Sequence, residues 1–204
     1  MTKHEFIEKV QNHRDQAGKL MEGDGGYKIK RGMAHVISGY VEDLFALYIA
    51  KNIGDEKHEF YVDKVTSIRF NPKEKAKSFK PDLSIIKKNV LTHYFDLKTN
   101  MGWNRDFGEY LQNKNDFIEK LKGRDAWIHW EDGNQLIKIS EDLKYQMVIV
   151  FGWNINQNLL MSNLKKAKEY SNIEIHVLYE KKESDSSYSI NEKAFDDVIN
   201  SAKP

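Results

Sequence analysis

One stretch of the chain alternates apolar and polar residues with the two-residue period of a β-strand. Over residues 91–98 the two sets fall on opposite faces. The first face carries Leu91, His93, Phe95 and Leu97, and the second carries Thr92, Tyr94, Asp96 and Lys98. The run 82–86 is also strand-like, and residues 87–89 supply a polar turn. The pattern therefore predicts a β-hairpin, with Asp96 and Lys98 pointing to the same side.

This hairpin is expected to bring two carboxylates together. Pro81 suits the first position of a strand, where its missing N–H costs least, and Asp82 follows it. Asp82 and Asp96 lie an even number of residues apart, so a regular hairpin with an odd-length loop places them on one face. Directly opposed Cβ atoms are ~5 Å apart, which lets one Mg²⁺ bridge two carboxylates. The alternative is an ordinary hairpin with a solvated polar face.

A largely apolar helix carries a third candidate acid. The pattern predicts a helix over about residues 33–52 with almost no polar face, so most of it should be buried. Glu42 shares its stripe with small and apolar residues, where a lone carboxylate is costly unless it is paired or binds a cation. We therefore prefer Glu42 as the third metal-site acid. Asp43 is the alternative, and a lysine partner or an edge position could also explain Glu42.

The order of predicted elements favours an α/β fold. In chain order the sequence predicts helix 33–52, strand 60–70, hairpin 82–98, helix 105–122, strand 146–151, helix 156–170 and strand 173–178. The last three elements match a βαβ crossover with parallel strands. We therefore expect a central mixed β-sheet flanked by helices on both faces.

Segments outside this order are expected to be peripheral. Residues 3–20 have apolar positions at helical spacing and predict a packing helix, with a dimer contact as the alternative. Residues 127–139 predict a second hairpin with a glycine turn. Its tryptophans, Trp127 and Trp130, are expected in the core, and contact with DNA or with a second subunit is the alternative. A solvated loop at 181–187 and a helix at 191–202 end the chain.

Composition narrows the class of protein. With 204 residues and no repeat or low-complexity segment, one domain over 1–204 is expected, with its core at about 33–178. The absence of cysteine excludes disulfides, thiol catalysis and cysteine-ligated zinc. The chain has no long apolar run, and its polar start does not match a signal peptide. A cytoplasmic protein without a membrane partner is expected.

The net charge of +1 argues against a binder that relies on bulk attraction to nucleic acid. An enzyme that reads a short sequence can instead concentrate positive charge around one cleft. Two segments combine glycine, asparagine and basic residues that suit contacts with phosphates and base edges. The candidate DNA-binding residues are Lys28, Lys30, Arg31, Asn100, Asn104 and Arg105. An ordinary loop and helix start is the alternative for both segments.

The acid on a first helix, the Pro-Asp at the start of one strand and the Asp-Leu-Lys at the end of the next resemble the PD-(D/E)XK nuclease superfamily. The similarity is greatest to its type II restriction endonucleases and covers about residues 33–178. It implies a restriction-endonuclease-like core, metal-binding carboxylates at Glu42, Asp82 and Asp96, and a catalytic lysine at Lys98.

Phosphodiester hydrolysis accounts for these residue types. Mg²⁺ provides Lewis acidity and orients an attacking water. It prefers oxygen ligands and keeps several waters, so two or three of the carboxylates and the Leu97 carbonyl would suffice, and Mn²⁺ can substitute. Lys98 could lower the pKa of the water or stabilise charge on the phosphate, and the sequence leaves both roles open. His93 faces away from the acids and is expected to pack in the core or beside the site.

The expected function is that of a Mg²⁺-dependent endonuclease cutting double-stranded DNA at a specific short sequence. Palindromic sites are commonly cut by two-fold symmetric dimers, so a homodimer is expected. The resemblance also implies a cognate DNA methyltransferase as a genetic partner. A junction resolvase or repair nuclease of the same superfamily is one alternative. A non-catalytic DNA-binding module on the same fold is the other.

Overall fold

A computed structural model of the chain describes residues 1–21, 37–53, 57–99, 107–152, 156–181 and 188–203. The helices in these ranges are α1 (Lys3–Met21), α2 (Ser38–Ile53), α3 (Phe107–Leu121), α4 (Gln157–Ala167) and α5 (Glu192–Ala202). The strands are β1 (His58–Val62), β2 (Thr66–Ile68), β3 (Lys77–Phe79), β4 (Leu83–Lys87), β5 (Val90–Lys98), β6 (Asp125–Trp130), β7 (Gly133–Ile139), β8 (Tyr145–Ile149), β9 (Ile173–Val177), β10 (Tyr179–Lys181) and β11 (Tyr188–Ile190).

Strand β5 lies at the centre of a mixed sheet. On one edge it pairs antiparallel with β4, which pairs antiparallel with β1. On the other edge its first residues pair with β7, and residues 94–98 pair in parallel with β8. Strands β8 and β9 are parallel neighbours joined through α4, so the predicted βαβ crossover is confirmed. The sheet continues from β7 through β6 and β2 to β3, all antiparallel.

Helices cover both faces of this sheet. On one face, α1, α2 and α5 form a core with β4 and β5, where the rings of Phe45 and Phe95 lie 5.5 Å apart. On the other face, α3 and α4 bury side chains such as Leu111 and Leu160 against the sheet. Each large apolar side chain buried in this way contributes about 1.5–3 kcal/mol. The predicted α/β class, with a mixed central sheet flanked by helices, is confirmed.

The hairpin of β4 and β5 forms, but it closes differently from the prediction. Lys88 and Asn89 have φ values of 51° and 60°, as in a two-residue type I′ turn, in which both central residues have positive φ. A two-residue loop alone would place Asp82 and Asp96 on opposite faces. A β-bulge at Thr92 corrects this, because Ile85 pairs with His93 whereas Ile86 pairs with Leu91.

The bulge also changes the predicted alternation. Beyond Thr92, Phe95 and Leu97 face the α2 side and Tyr94 faces the α3 side, as expected. Leu91 lies on the Tyr94 side, so its predicted place beside His93 is wrong. The extra residue shifts every position before it to the other face. Leu83 then opposes Phe95, and this register extends toward Asp82 and Asp96.

The predicted strand at 60–70 is two strands. Strand β1 ends at Val62, and Asp63 has a φ of 55°, a left-handed conformation that aspartate adopts more readily than most residues. The chain then changes partners, because β1 pairs with β4 whereas β2 pairs with β3 and β6. The single-strand prediction is therefore wrong, and the break at Asp63 places that residue beside the start of β4.

The peripheral predictions are mostly confirmed. Helix α1 buries Phe6 and Val10, and α5 begins at the N-cap Asn191, whose side chain accepts a hydrogen bond from Ala194 N–H. The second hairpin forms from β6 and β7. Trp130 is 41% exposed, so its predicted core position is wrong. Residues 182–187 of the predicted tail loop lie outside the described residues. Among the described helices, none is long and apolar enough to cross a membrane.

Candidate functional site

Three carboxylates converge beside the start of β4. Glu42 lies on α2, Asp63 follows β1 and Asp82 precedes β4, and ligand oxygens of the three lie within 4.8 Å of one another. We call these residues the carboxylate cluster. Antiparallel pairing of β1 with β4 brings Asp63 next to Asp82, whose carbonyl accepts a hydrogen bond from Asp63 N–H at 3.2 Å. Because α2 packs against β1 and β5, Glu42 completes the cluster from above the sheet.

Asp82 connects this cluster to the end of β5. Its Oδ2 accepts a hydrogen bond from the backbone N–H of Leu97 at 2.6 Å. The side chain is half-buried, so its carboxylate is held between the two strands. The Asp82 carboxylate therefore contacts β5 at Leu97, the residue between Asp96 and Lys98.

A second group of side chains surrounds Asp96. Lys98 Nζ donates to Asp96 Oδ1 at 2.5 Å, and the Tyr110 hydroxyl donates to Oδ2 at 2.9 Å. The Tyr145 hydroxyl also donates to Oδ2. Lys114 Nζ lies 3.9 Å from the same oxygen. We call these five residues the Asp96 network.

The pKa directions of the two hairpin aspartates are opposite. Burial, together with the neighbouring Asp96 carboxylate, raises the pKa of Asp82 well above its ordinary value. Burial also works to raise the pKa of Asp96, but hydrogen bonding to Asp82 and the charge and hydrogen bond of Lys98 hold it below its ordinary value. The two directions favour ionisation of Asp96 over ionisation of Asp82.

Glu42 and Asp63 differ in their surroundings. Burial, followed by the negative charge of Asp63, raises the pKa of Glu42. Asp63 is exposed and forms an ion pair with Lys80 at 2.5 Å. Carboxylate oxygens are the ligands that Mg²⁺ and Ca²⁺ prefer, so these three side chains could hold a divalent cation. A cation there would compensate the charges that burial and mutual repulsion disfavour.

The four predicted catalytic residues meet in two pairs. Glu42 lies beside Asp82, and Asp96 is hydrogen-bonded to Lys98. Asp43 is exposed and outside the cluster, so the geometry favours Glu42 as the helix acid. Asp96 is already hydrogen-bonded at both oxygens, to Lys98 through Oδ1 and to Tyr110 through Oδ2. Metal ligation by Asp96 and by the Leu97 carbonyl stays a prediction; the Leu97 group seen at the site is its N–H.

Sequence reasoning missed four residues of the site. Asp63 could have been found from the break in alternation at Asp63–Lys64, which ends β1 opposite the start of β4. Tyr110 and Lys114 are four residues apart on α3 and so share one face of the helix. Tyr145, at the start of β8, gives no sequence signal beyond a hydroxyl in an apolar run.

Other predicted residues lie apart from this geometry. His93 is partly buried, its ring stacks on Phe95 with centres 6.0 Å apart, and its Nε2–H donates to the Ser201 carbonyl at 2.7 Å. The predicted packing role of His93 is therefore confirmed. The proposed DNA-binding residues all lie outside the described residues: Lys28, Lys30, Arg31, Asn100, Asn104 and Arg105.

Comparisons with known proteins found no match for the chain. No protein-family model and no curated protein sequence matches the chain. The residues of the site and their geometry are therefore the evidence for its function.

Proposed function

We propose that this protein is a Mg²⁺-dependent endonuclease of the PD-(D/E)XK type that cuts double-stranded DNA at a specific short sequence. The observation that carries the proposal is the hydrogen bond from Leu97 N–H to Asp82, at 2.6 Å. It joins the carboxylate cluster to the strand that carries Asp96 and Lys98. Acids suited to a hard cation and a lysine suited to a phosphate thus occupy one end of one hairpin.

The order of elements supports a restriction-endonuclease-like core. Helix α2 precedes β1, β4 and β5, and α3, β8, α4 and β9 follow. Strands β1, β4 and β5 are successive antiparallel neighbours, and β8 and β9 extend the sheet in parallel. This order and pairing support the proposed core, and β2, β3, β6 and β7 lie beside it.

The carboxylate cluster fits the proposed cation. Two oxygens that bind one Mg²⁺ lie at most ~4.2 Å apart, twice the Mg²⁺–oxygen distance. The cluster oxygens lie within 4.8 Å of one another, so small side-chain rotations would suffice. Glu42 and Asp82 would hold the ion, with Asp63 as the third acid. When bound, Mg²⁺ supplies Lewis acidity to the phosphate and orients water.

Lys98 is placed to act on the phosphate or on the attacking water. Its side chain is 35% exposed, whereas the Asp96 carboxylate that holds it is 12% exposed. The ammonium group can therefore reach solvent and a docked phosphate while keeping its bond to Asp96. Donation to a phosphate oxygen would stabilise the charge that develops there, and donation to water would favour its deprotonation.

The proposal extends to the protein's partners. Palindromic sites are commonly cut by two-fold symmetric dimers in which each active site cuts one strand, so we include a homodimer in the proposal. A cognate DNA methyltransferase would protect the same sequence from cleavage. We include a cytoplasmic location of the protein in the proposal, and Mn²⁺ is expected to replace Mg²⁺.

Cleavage of unmethylated plasmid and phage DNA tests this function. Wild-type protein, Asp96→Ala, Lys98→Ala and the control Asp43→Asn are incubated with DNA and Mg²⁺. Discrete fragments from wild type and the control alone would support a site-specific endonuclease. A smear, or cleavage of junctions only, would favour the repair nuclease or resolvase. DNA binding without cleavage in Mg²⁺ or Mn²⁺ would overturn the enzymatic claim and favour the binding module.

A further inference from the structure

Two tyrosines reach the same oxygen of Asp96 from different elements. Tyr110 lies on α3, and Tyr145 is the first residue of β8, the parallel neighbour of β5. Both hydroxyls donate to Asp96 Oδ2, and they lie 2.7 Å from each other. With one hydrogen each, the two hydroxyls can satisfy two of these three contacts at a time. They form a polar anchor inside the apolar core under α3.

The anchor determines how the carboxylate is oriented. Rotation about the last bond of an aspartate side chain is broad, so an unrestrained carboxylate can turn readily. Here Oδ2 is held from the core side by Tyr110 and Tyr145, and Oδ1 is left toward Lys98, 2.5 Å from Nζ. Lys98 has a long, flexible side chain, and its ammonium would otherwise sample several positions.

Lys114 strengthens the same anchor. Its Nζ lies 4.7 Å from the centre of the Tyr145 ring and donates a hydrogen bond to the Tyr94 hydroxyl at 3.3 Å. At 3.9 Å from Asp96 Oδ2, it places positive charge on the same side as the two tyrosine hydroxyls. Tyr110 and Lys114 therefore approach Oδ2 from α3, and Tyr145 approaches it from β8. Lys98 approaches Oδ1.

We propose that Tyr110 and Tyr145 are positioning residues, which hold Asp96 Oδ2 so that Oδ1 fixes the Lys98 ammonium for the cleavage step. This inference rests on the proposed function. Neither tyrosine belongs to the carboxylate cluster, so both are expected to affect the rate of cleavage without affecting cation affinity.

Kinetics of Tyr110→Phe, Tyr145→Phe and the double variant test the inference, because each change removes only a hydroxyl. A hydrogen bond to a charged group contributes enough that the double variant should lose about tenfold to a hundredfold in kcat. KM and the Mg²⁺ concentration for half-maximal activity should change less than about twofold. In a Lys98→Ala background, the tyrosine changes should cause no further loss. The control is Tyr48→Phe, a buried tyrosine of α2 on the opposite face of the sheet.

A measurement without DNA separates this inference from the proposed function. In protein labelled with ¹⁵N-lysine, a held ammonium group exchanges its protons slowly enough for NMR, and Lys98→Arg identifies the Lys98 signal. The signal should be present in wild type and Tyr48→Phe and lost in the double tyrosine variant. An unchanged signal, or unimpaired cleavage by that variant, overturns the inference. Absence of cleavage by wild type refutes the proposed function, and the NMR signal still decides whether the tyrosines hold Lys98.

Discussion

The carboxylate cluster and the Asp96 network share one end of a hairpin but compensate negative charge differently. In the Asp96 network, one oxygen accepts from Lys98 and the other from two tyrosine hydroxyls. In the cluster, three acids lie together, with Lys80 paired to the most exposed of them. Both oxygens of Asp96 accept hydrogen bonds, whereas we propose that the carboxylate cluster holds a cation. Under this proposal, the aspartates on the two neighbouring strands have different roles, because Asp96 holds a lysine and Asp82 holds a cation.

The largest expected difference between the two regions is in stability without metal. Asp96→Ala would leave Lys98, Tyr110 and Tyr145 without their shared acceptor inside a largely buried network. We expect the free energy of unfolding to fall by about 3 kcal/mol. Asp63→Asn, at an exposed position and with a residue that also tolerates the left-handed backbone, should change it by about 0.5 kcal/mol or less. Urea denaturation in EDTA measures both, and equal losses would contradict the comparison.

Added cation should reverse the ranking of the two regions. Mg²⁺ or Mn²⁺ that binds only the folded protein should stabilise it by about 2.7 kcal/mol at a hundred times its dissociation constant. Glu42→Gln and Asp82→Asn should weaken this effect strongly, whereas Tyr145→Phe should preserve it. Melting temperature against metal concentration is the measurement, with Asp43→Asn as the control. Full stabilisation of Asp82→Asn would exclude the carboxylate cluster as the cation site.

The Asp63→Asn variant tests which acid is the third ligand of the proposed cation. The sequence motif assigns that role to Asp96, whereas the geometry groups Asp63 with Glu42 and Asp82. If Asp63 contacts the ion, its substitution should raise the dissociation constant about tenfold while leaving metal-free stability nearly unchanged. Isothermal titration with Mn²⁺ measures the constant. An unchanged constant would return the third position to Asp96 or to water.

The two aspartates should also oppose each other in their pH dependence. The folded pKa of Asp82 is raised, so its stabilising contribution is complete below its unfolded pKa of about 3.9 and is lost as pH rises through the folded value. The folded pKa of Asp96 is lowered, so its contribution is present above about pH 3.9 and is lost as pH falls. Asp82→Asn in EDTA should therefore remove a decline in stability from about pH 4 upward. Urea midpoints across pH would show parallel curves if this is wrong.

The fold was largely predictable because its signals are local. The alternation of β5, the apolar stripe of α2 and the order of the last three elements each depend on residues close in sequence. The turn at residues 87–89 was predicted, but its two-residue length and the bulge at Thr92 were not, because many turn lengths fit the same polar residues. Those two departures offset each other, and for that reason Asp82 and Asp96 still come to one face.

The candidate site residues on the hairpin were predicted from the sequence, whereas residues that distant strands and helices bring to the site were largely missed. Glu42, Asp82, Asp96 and Lys98 were identified from spacing and from the cost of burying charge. Asp63 joins them through a left-handed turn and through pairing between β1 and β4. The break in alternation at Asp63–Lys64 indicates where β1 ends, but the sequence does not specify that β1 pairs with β4. The contacts of Tyr110 and Tyr145 depend on how α3 and β8 pack, which only the tertiary structure gives.

The smallest expected effect concerns Lys80, which compensates the carboxylate cluster from its exposed side. Its Nζ pairs with Asp63 at 2.5 Å, and both side chains are 49% exposed, so solvent screens the pair. Removal of this charge in Lys80→Gln should tighten cation binding about twofold, because the added ion no longer competes with a lysine for Asp63. Lys114→Met, which removes the corresponding cation of the Asp96 network, should leave cation binding unchanged. Titration with Mn²⁺ measures both variants. Weaker binding by Lys80→Gln would show that Lys80 holds Asp63 in place for the ion, and the two regions would then both depend on a lysine to orient an acid.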